Sequence, residues 1–370
     1  MLKSKKFWSY EVCEKFNITE EMLNNYKKKG KFYEDGMYFY EQIGTGAHPA
    51  IKATQGTVPT VISFQNVLVD LNTLKILFML LSSSKVTTLR FSSNKFNLNN
   101  LEFMIDSLFN KPNGVYNLTY EWNDKFIIDG YEYSFNDINN VVDEKLLNDL
   151  KKTEDLIVSL VTKSPNKLEA LCLRGNLIGD KIATQIFEGL KDTNSTLRIL
   201  NLFRNNLTNE CIKSFSEMLI VNRRLEEINF GNNHLTDISL KIIKSNYGKF
   251  EMNETDIEEY KKFEKERQDI IRQNIKLKSS KKIELEVPHI DEIKEIDGVF
   301  YRVKNDVLKL FNLTQNNFTE NSFDDLIGIL DGLPDTMVTV DSKSYNEEQK
   351  NQLNDNQNPA GYFKRIYFLK

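Results

Sequence analysis

The chain has 370 residues, 40% of them hydrophobic, enough for a large core and more than one domain. Its formal net charge of −4 supplies no overall basic field to draw it to nucleic acid or to a membrane surface. No apolar run reaches the length needed to span a bilayer, and three cysteines (Cys13, Cys172, Cys211), far apart in sequence, imply no disulfide framework. In chain order, Val12, Cys13 and Phe16 suit a short helix, Asn17–Ile18–Thr19 a turn with a helix cap, and Glu20 to Lys29 a second helix. Gly30 ends it, and Phe32 to Tyr40 reads as two short strands about Asp35–Gly36. Residues 1–45 are thus expected to form a small unit, with 46–57 as a linker.

A repeat follows. Leu168, Leu171, Leu173, Asn176 and Ile178 return as Leu197, Leu200, Leu202, Asn205 and Leu207, then as Leu225, Ile228, Phe230, Asn233 and Leu235. The starts are 29 and 28 residues apart, a period that marks stacked supersecondary units. Upstream, Val115/Leu118/Tyr120/Asn123, Val86/Leu89/Phe91/Asn94/Phe96 and Val58/Val61/Ser63/Asn66/Leu68 fit the same template, the last with Ser63 in an apolar place. Downstream it returns as Leu308, Phe311, Leu313, Asn316 and Phe318. Apolar residues in the fourth and sixth places alternate as a strand with one buried face requires. Between strands, Leu71/Leu74/Leu77/Phe78/Leu81 and Ile212/Phe215/Met218/Leu219 recur at helical spacing.

Two intervals break the rhythm. The 53 residues from 115 to 168 exceed one unit, and their second template match at Ile128–Ile138 is resolved as a hairpin near Asp129–Gly130 followed by a helix over about 143–161. Residues 251–282 read as a charged helix from Glu254 to about Lys278, followed by strand-like runs at Lys282–Val287 and Val299–Val303 within a 283–345 segment that regains the repeat. A polar stretch and a terminal apolar strand fill 346–370.

The repeat resembles the leucine-rich repeat family, and its period resembles the ribonuclease-inhibitor-like class. That resemblance implies an α/β solenoid over about 58–250 and 308–340, a horseshoe with parallel strands inside and helices outside. The ninth-place asparagines (Asn66, Asn94, Asn123, Asn176, Asn205, Asn233 and Asn316) are expected to form a structural ladder, since an amide carries both donors and an acceptor for backbone groups left unpaired at the turn. Residues 8–40 are similar to the winged helix-turn-helix of MerR-type regulators and excisionases. Val12–Cys13, Asn17–Ile18–Thr19, Met22–Tyr26 and Gly30 match its spacing, although Asn24 replaces an arginine that the family turns to DNA. Lys27, Lys28 and Lys29 are the candidate phosphate contacts, against ordinary dipole complementation at a helix end and a simple capping role for the unit.

The family's concave face, carried over place by place, holds Arg90, Glu121, Arg174, Phe203 and Asn229, with Trp122 and Arg204 at its edge. Aromatic and arginine enrichment suits a protein-binding surface better than a phosphate track. Phe203 stands out, because an aromatic facing solvent from a sheet has no folding reason. No nucleotide loop, nucleophile elbow or metal-site spacing is present, and His48, His234 and His289 are isolated. Cys172 lacks a histidine base on its strand and reads as a small residue. The expectation is therefore a non-enzymatic, intracellular, cytoplasmic protein without cofactor or metal, binding a protein partner. The alternatives are a DNA-binding regulator and a GTPase activator of the Ran-activator type using Arg90, Arg174 or Arg204.

Overall fold

A computed structural model describes residues 18–354 and 366–369, apart from 43–47, 129–130, 142, 164–166, 193–194, 248–249, 280–284, 286, 288–291, 297–298, 304, 306 and 334–335. Its frame is one sheet of nine strands: β1 (Val61–Gln65), β2 (Thr88–Ser92), β3 (Asn117–Glu121), β6 (Ala170–Cys172), β7 (Ile199–Asn201), β8 (Glu227–Asn229), β12 (Leu310–Asn312), β13 (Met337–Asp341) and β14 (Ile366–Leu369). The strands lie side by side in chain order, each parallel to the next. Parallel neighbours need a crossover, and helices supply it. These are α4 (Leu71–Leu81), α5 (Leu98–Asn110), α6 (Glu144–Thr162), α7 (Asp180–Leu190), α8 (Ile212–Val221), α9 (Asp237–Tyr247) and α11 (Phe323–Gly332), packed successively against one another.

The strand period decides which face is buried. Fourth-place Ile62, Leu89, Leu118, Leu171, Leu200, Ile228, Phe311 and Val338, and sixth-place Phe64, Phe91, Tyr120, Leu173, Leu202, Phe230, Leu313 and Val340, are all at most 2% exposed. They join the helices' apolar stripes in one core, where Phe215 meets Phe230 at 4.8 Å and Phe311 at 5.7 Å between ring centroids. Most of the helices open on side-chain caps: Asp70, Asn97 and Asp143 each accept from an amide three residues on.

The ladder of ninth-place asparagines is present from Asn94 to Asn316. Asn123 Oδ1 accepts from the Asn94 amide at 2.6 Å, Asn176 from Asn123 at 2.8 Å, Asn205 from Asn176 at 3.0 Å and Asn233 from Asn205 at 3.1 Å. Each Nδ2 donates back to the previous unit, as Asn176 does to the Tyr120 carbonyl at 2.7 Å and Asn316 to Phe230 at 3.0 Å. Asn66 is not a rung. The register Ile62–Leu89 and Phe64–Phe91 places the first unit one residue later than the sequence template did, so Val67 holds its ninth place and Asn66 is exposed. A one-residue slip turns every side chain over, which is why Val58 and Val61 are 72% and 41% exposed. The pattern was misread because Val58, Val61 and Leu68 offered a plausible apolar series while Ile62 and Phe64 carried the real one.

The N-terminal reading also needs correction. Helix α1 covers only Glu20–Asn25, capped by Thr19, and residues 32–42 form a second helix, α2 (Phe32–Gln42), where two strands of a wing were expected. Asp35 makes no turn: its carboxylate accepts from the amides of Lys29 and Lys31 and from the Tyr26 hydroxyl at 2.7 Å, fixing the helix start. Gly36 sits inside the helix because a β-carbon there would stand 2.9 Å from Ile51 and 3.2 Å from Leu80. Within residues 48–57, His48, Ala50, Ile51 and Thr54 are buried. His48, fully buried, caps α3 (Pro49–Lys52), while its Nε2 lies 3.1 Å from the Leu68 carbonyl oxygen. The expected helix at Val12–Phe16 lies outside the described residues.

Both interruptions are insertions between neighbouring units. β4 (Phe126–Ile128) and β5 (Tyr131–Tyr133) form the expected hairpin, and the following 3-10 turn reaches across to accept, at Asn136 Oδ1, from the Asn206 side-chain amide at 3.0 Å. The second insertion holds the helix α10 (Glu254–Ser279) and a separate antiparallel sheet of β9 (Phe250–Glu251), β10 (Glu292–Ile296) and β11 (Val299–Val303). Of the strand expected at 282–287, only Leu285 and Val287 are described, and neither is in a strand. A short C-terminal helix, α12 (Glu347–Asn354), precedes β14.

Candidate functional site

The face opposite the core is set by the odd places of each unit. Fifth-place Asn201, Asn229 and Asn312 use their side-chain oxygens locally, accepting from the amides of Phe203, Gly231 and Thr314 at 2.9 Å each. Asn229, a predicted contact residue, is therefore a bracket for the strand's exit. These bonds fix where the seventh residue points as the chain leaves the strand.

The eighth place carries a feature that the template did not reveal. Asn66, Ser93, Trp122, Gly175, Arg204, Asn232 and Gln315 all have φ between 52° and 66°. Left-handed backbone recurs because the chain turns inward here in these seven units, and glycine or asparagine adopts it most cheaply. Trp122 and Arg204 occupy it nonetheless. A bulky side chain costs about 1–2 kcal/mol in this region, so these two positions carry strain that a glycine would not.

Four of the predicted contact residues converge there. The Arg174 guanidinium lies over the Phe203 ring at 4.8 Å and over the Trp122 ring at 5.3 Å, and Arg204 lies over Trp122 at 4.9 Å. Two glycines make room for the rings. A β-carbon on Gly175 would fall 2.5 Å from the Trp122 ring, and one on Gly231 would fall 2.8 Å from Phe203. Arg174, Trp122 and Phe203 are half-buried while Arg204 is exposed. Phe203 thus has packing partners, contrary to the expectation of an aromatic without a folding reason. Each cation–aromatic contact contributes on the order of 0.5–1 kcal/mol, comparable to the backbone strain it offsets.

Trp122 and Arg204 also line a polar cleft of ≈ 440 Å³ at the strand exits, with Asp124, Asn206, Asn232, His234 and Asn317. Arg90 is exposed on β2, and it, Glu121 and Arg174 all act electrostatically on Cys172. The Cys172 thiol is pushed up, chiefly by burial, so it is less ionised than a free cysteine. Lys27, Lys28 and Lys29 take no part: they follow α1 in an exposed connection, where Lys28 bonds Ser82. On the strands' second place, Arg198 grips Glu226 through two bonds of 2.8 and 3.0 Å, and Lys309 adds a third at 3.0 Å. Those donors hold the Glu226 carboxyl at about 2. Among the described residues, no group of three His, Cys, Asp or Glu could hold a metal, and no helix is long and apolar enough to cross a membrane.

No protein-family model matches the chain. It is 35% identical over 83 residues to NACHT, LRR and PYD domains-containing protein 3 of Homo sapiens, covering 22% of this chain and 8% of that protein. It is 33% identical over 86 residues to the Bos taurus protein of that name, covering 23% of this chain and 8% of that one. A third similarity, 36% over 78 residues, is to NACHT, LRR and PYD domains-containing protein 9B of Mus musculus, covering 21% and 8%. The chain thus spans under a tenth of the length of these curated relatives. With the repeated strand–helix unit, these similarities mark leucine-rich repeat content in this chain.

Sequence reasoning had named Trp122, Arg174, Phe203 and Arg204 one by one. What it missed was their stacking, which depends on left-handed φ at the eighth place and on glycines under the rings. Gly175 and Asn232, in one column of the aligned units, were the available signal.

Proposed function

We propose that the chain is a leucine-rich repeat solenoid of the ribonuclease-inhibitor-like class, curved with its strands inside, that binds a protein partner without chemistry of its own. The surface offered is the strand-exit region built by Trp122, Arg174, Phe203 and Arg204. The observation that carries the reading is the ring–guanidinium column of these four residues, set on strained backbone at Trp122 and Arg204. Every other eighth-place residue is small or polar, so the large ones stand where folding alone would favour glycine. Tryptophan and arginine are also the side chains most enriched at energetic centres of protein interfaces. The Cys172 thiol, held protonated by burial, supports binding in preference to nucleophilic chemistry.

The test is affinity capture from lysate with wild type, Phe203→Glu and Lys213→Glu, the last on the helix side with its side chain 79% exposed. The reading expects proteins held by wild type and Lys213→Glu and lost by Phe203→Glu, with all three chains giving the same circular dichroism spectrum. Identical captured sets from the two variants overturn it.

A further inference from the structure

Several cations elsewhere in the repeat units are already matched. Arg198 and Lys309 share Glu226, Lys191 bridges Glu188 and Glu217, and Lys244 meets Asp325 at 2.9 Å. Arg174 and Arg204 form no ion pair among the described residues, although each is held in place by aromatic rings. Stacking covers the flat faces of a guanidinium and leaves its in-plane N–H edge to find acceptors. For Arg174 that edge is incomplete: its Nε is buried and has no hydrogen-bond partner. A donor desolvated in this way is costly unless something outside the chain completes it.

From this we infer that the column is a receptor for a carboxylate carried by an acidic segment of a protein partner. The inference rests on the protein-binding reading above. A carboxylate is planar, and its two oxygens accept from a guanidinium edge in the same plane. The surroundings favour this ligand over a phosphate chain. Asp124 lines the same cleft as Arg204, and Glu121 belongs to the same face, so the local field is not uniformly positive. Next to Arg174, the Phe203 ring is half-buried, which suits an apolar residue beside the acid. The ligand is therefore a short stretch in which Asp or Glu alternates with apolar side chains.

The test is fluorescence anisotropy with the full chain and four labelled probes. These are an octapeptide of Glu and Leu, its Gln and Leu counterpart, a phosphoserine and Leu version, and a single-stranded oligonucleotide. The Glu peptide is expected to bind at least about tenfold more tightly than the Gln peptide, and to weaken as salt rises. Arg204→Gln and Arg174→Gln are each expected to weaken it by about tenfold, while Arg198→Gln leaves it unchanged. Arg204 is exposed, so its variant remains informative even if Arg174→Gln fails to fold. Equal binding of the Glu and Gln peptides, or indifference to Arg204→Gln, overturns the inference. So does tighter binding of the phosphoserine peptide or the oligonucleotide. If that happens while Phe203→Glu still loses its captured proteins, the acidic ligand falls and the protein-binding surface stands. If Phe203→Glu captures the wild-type set, both readings fall together.

Discussion

Replacing Asn205 by alanine tests the ladder where it is most fully bonded. The Asn205 side chain, 4% exposed with its residue, accepts from the amides of Asn176 and Ile178 at 3.0 Å each and donates to the carbonyls of Leu173 and Leu202, also at 3.0 Å. Three of those partners belong to the preceding unit. Alanine would leave two buried amides without this acceptor and two carbonyls without this donor, Leu202 keeping a bond from Asn233, and an unmade buried hydrogen bond costs about 1–3 kcal/mol. Allowing for relaxation and water entry, the loss should be about 3–6 kcal/mol. Asn66→Ala is the control. Asn66 is exposed and only its backbone amide bonds across, to Ser92 at 2.9 Å, so its side chain carries no rung. That change should cost about 1 kcal/mol or less, from alanine's poorer fit to φ of 52°. Urea unfolding followed by circular dichroism gives the totals, and native-state hydrogen exchange locates them. Protection should fall first at the Asn176 and Ile178 amides. If Asn205→Ala lies within about 1 kcal/mol of wild type, or Asn66→Ala is as damaging, both the ladder energetics and the shifted register of the first unit are wrong.

Gly175→Ala places a β-carbon 2.5 Å from the Trp122 ring on backbone with φ of 66°, and should destabilise by at least about 1–2 kcal/mol in urea melts; a change below about 0.5 kcal/mol removes the packing argument for the column. His48 is fully buried, and burial lowers its pKa below the ordinary histidine value, more than the Leu68 carbonyl and Asp70 restore it. The unfolded chain therefore binds a proton more readily, so this contribution to stability is complete above about pH 6.5 and is lost as pH falls through the folded value, at no more than about 1.4 kcal/mol per pH unit. Thermal melts from pH 7.5 to 5 should show wild type losing stability relative to His48→Asn; parallel curves refute the assignment. NMR titration should place the Glu226 carboxyl at about 2 in wild type and raise it toward the usual carboxylate range in Arg198→Gln; an unmoved titration would mean that Arg198 does not hold it.

Much of the fold was written in a period-two pattern that admits few other structures. Leu171 with Leu173 and Leu200 with Leu202 named their strands because two apolar places out of three, repeated at fixed distance, leave one buried face. The helices over 71–81, 144–162 and 254–279 were legible from spacing and caps. The first unit misled because it has Asn66 one place before Val67, and an asparagine suits the left-handed eighth place as well as the ninth. The β13 unit escaped notice since Lys343 stands where its rung should be. Asp35–Gly36 looked like a turn because the pair is chemically equal to two tasks, and only packing against Ile51 and Leu80 distinguishes them. At the surface, residue types were readable and their conformations were not: left-handed φ at Trp122 shows in the sequence only through Gly175 and Asn232 at the same place of other units.

The ladder and the candidate surface are consequences of the same turn. Ninth-place asparagines bind the backbone just after the strand, and fifth-place Asn201 binds it just before, so Phe203 and Arg204 are clamped from both sides. A side chain attached to clamped backbone loses little further freedom when it meets a partner, and this reduces the ordering cost that weakens most associations. In Trp122, Arg174, Phe203 and Arg204 the clamp is extended outward, each flat group resting on the next and the rings on Gly175 and Gly231. Removing a rung such as Asn205 should therefore loosen the column before it unfolds the chain. A partner's affinity would then fall in a variant that never touches it, by an amount that tracks the exchange protection lost at Asn176 and Ile178. If affinity stays constant while that protection collapses, the clamp does not transmit to the surface, and the two functions of the turn are independent.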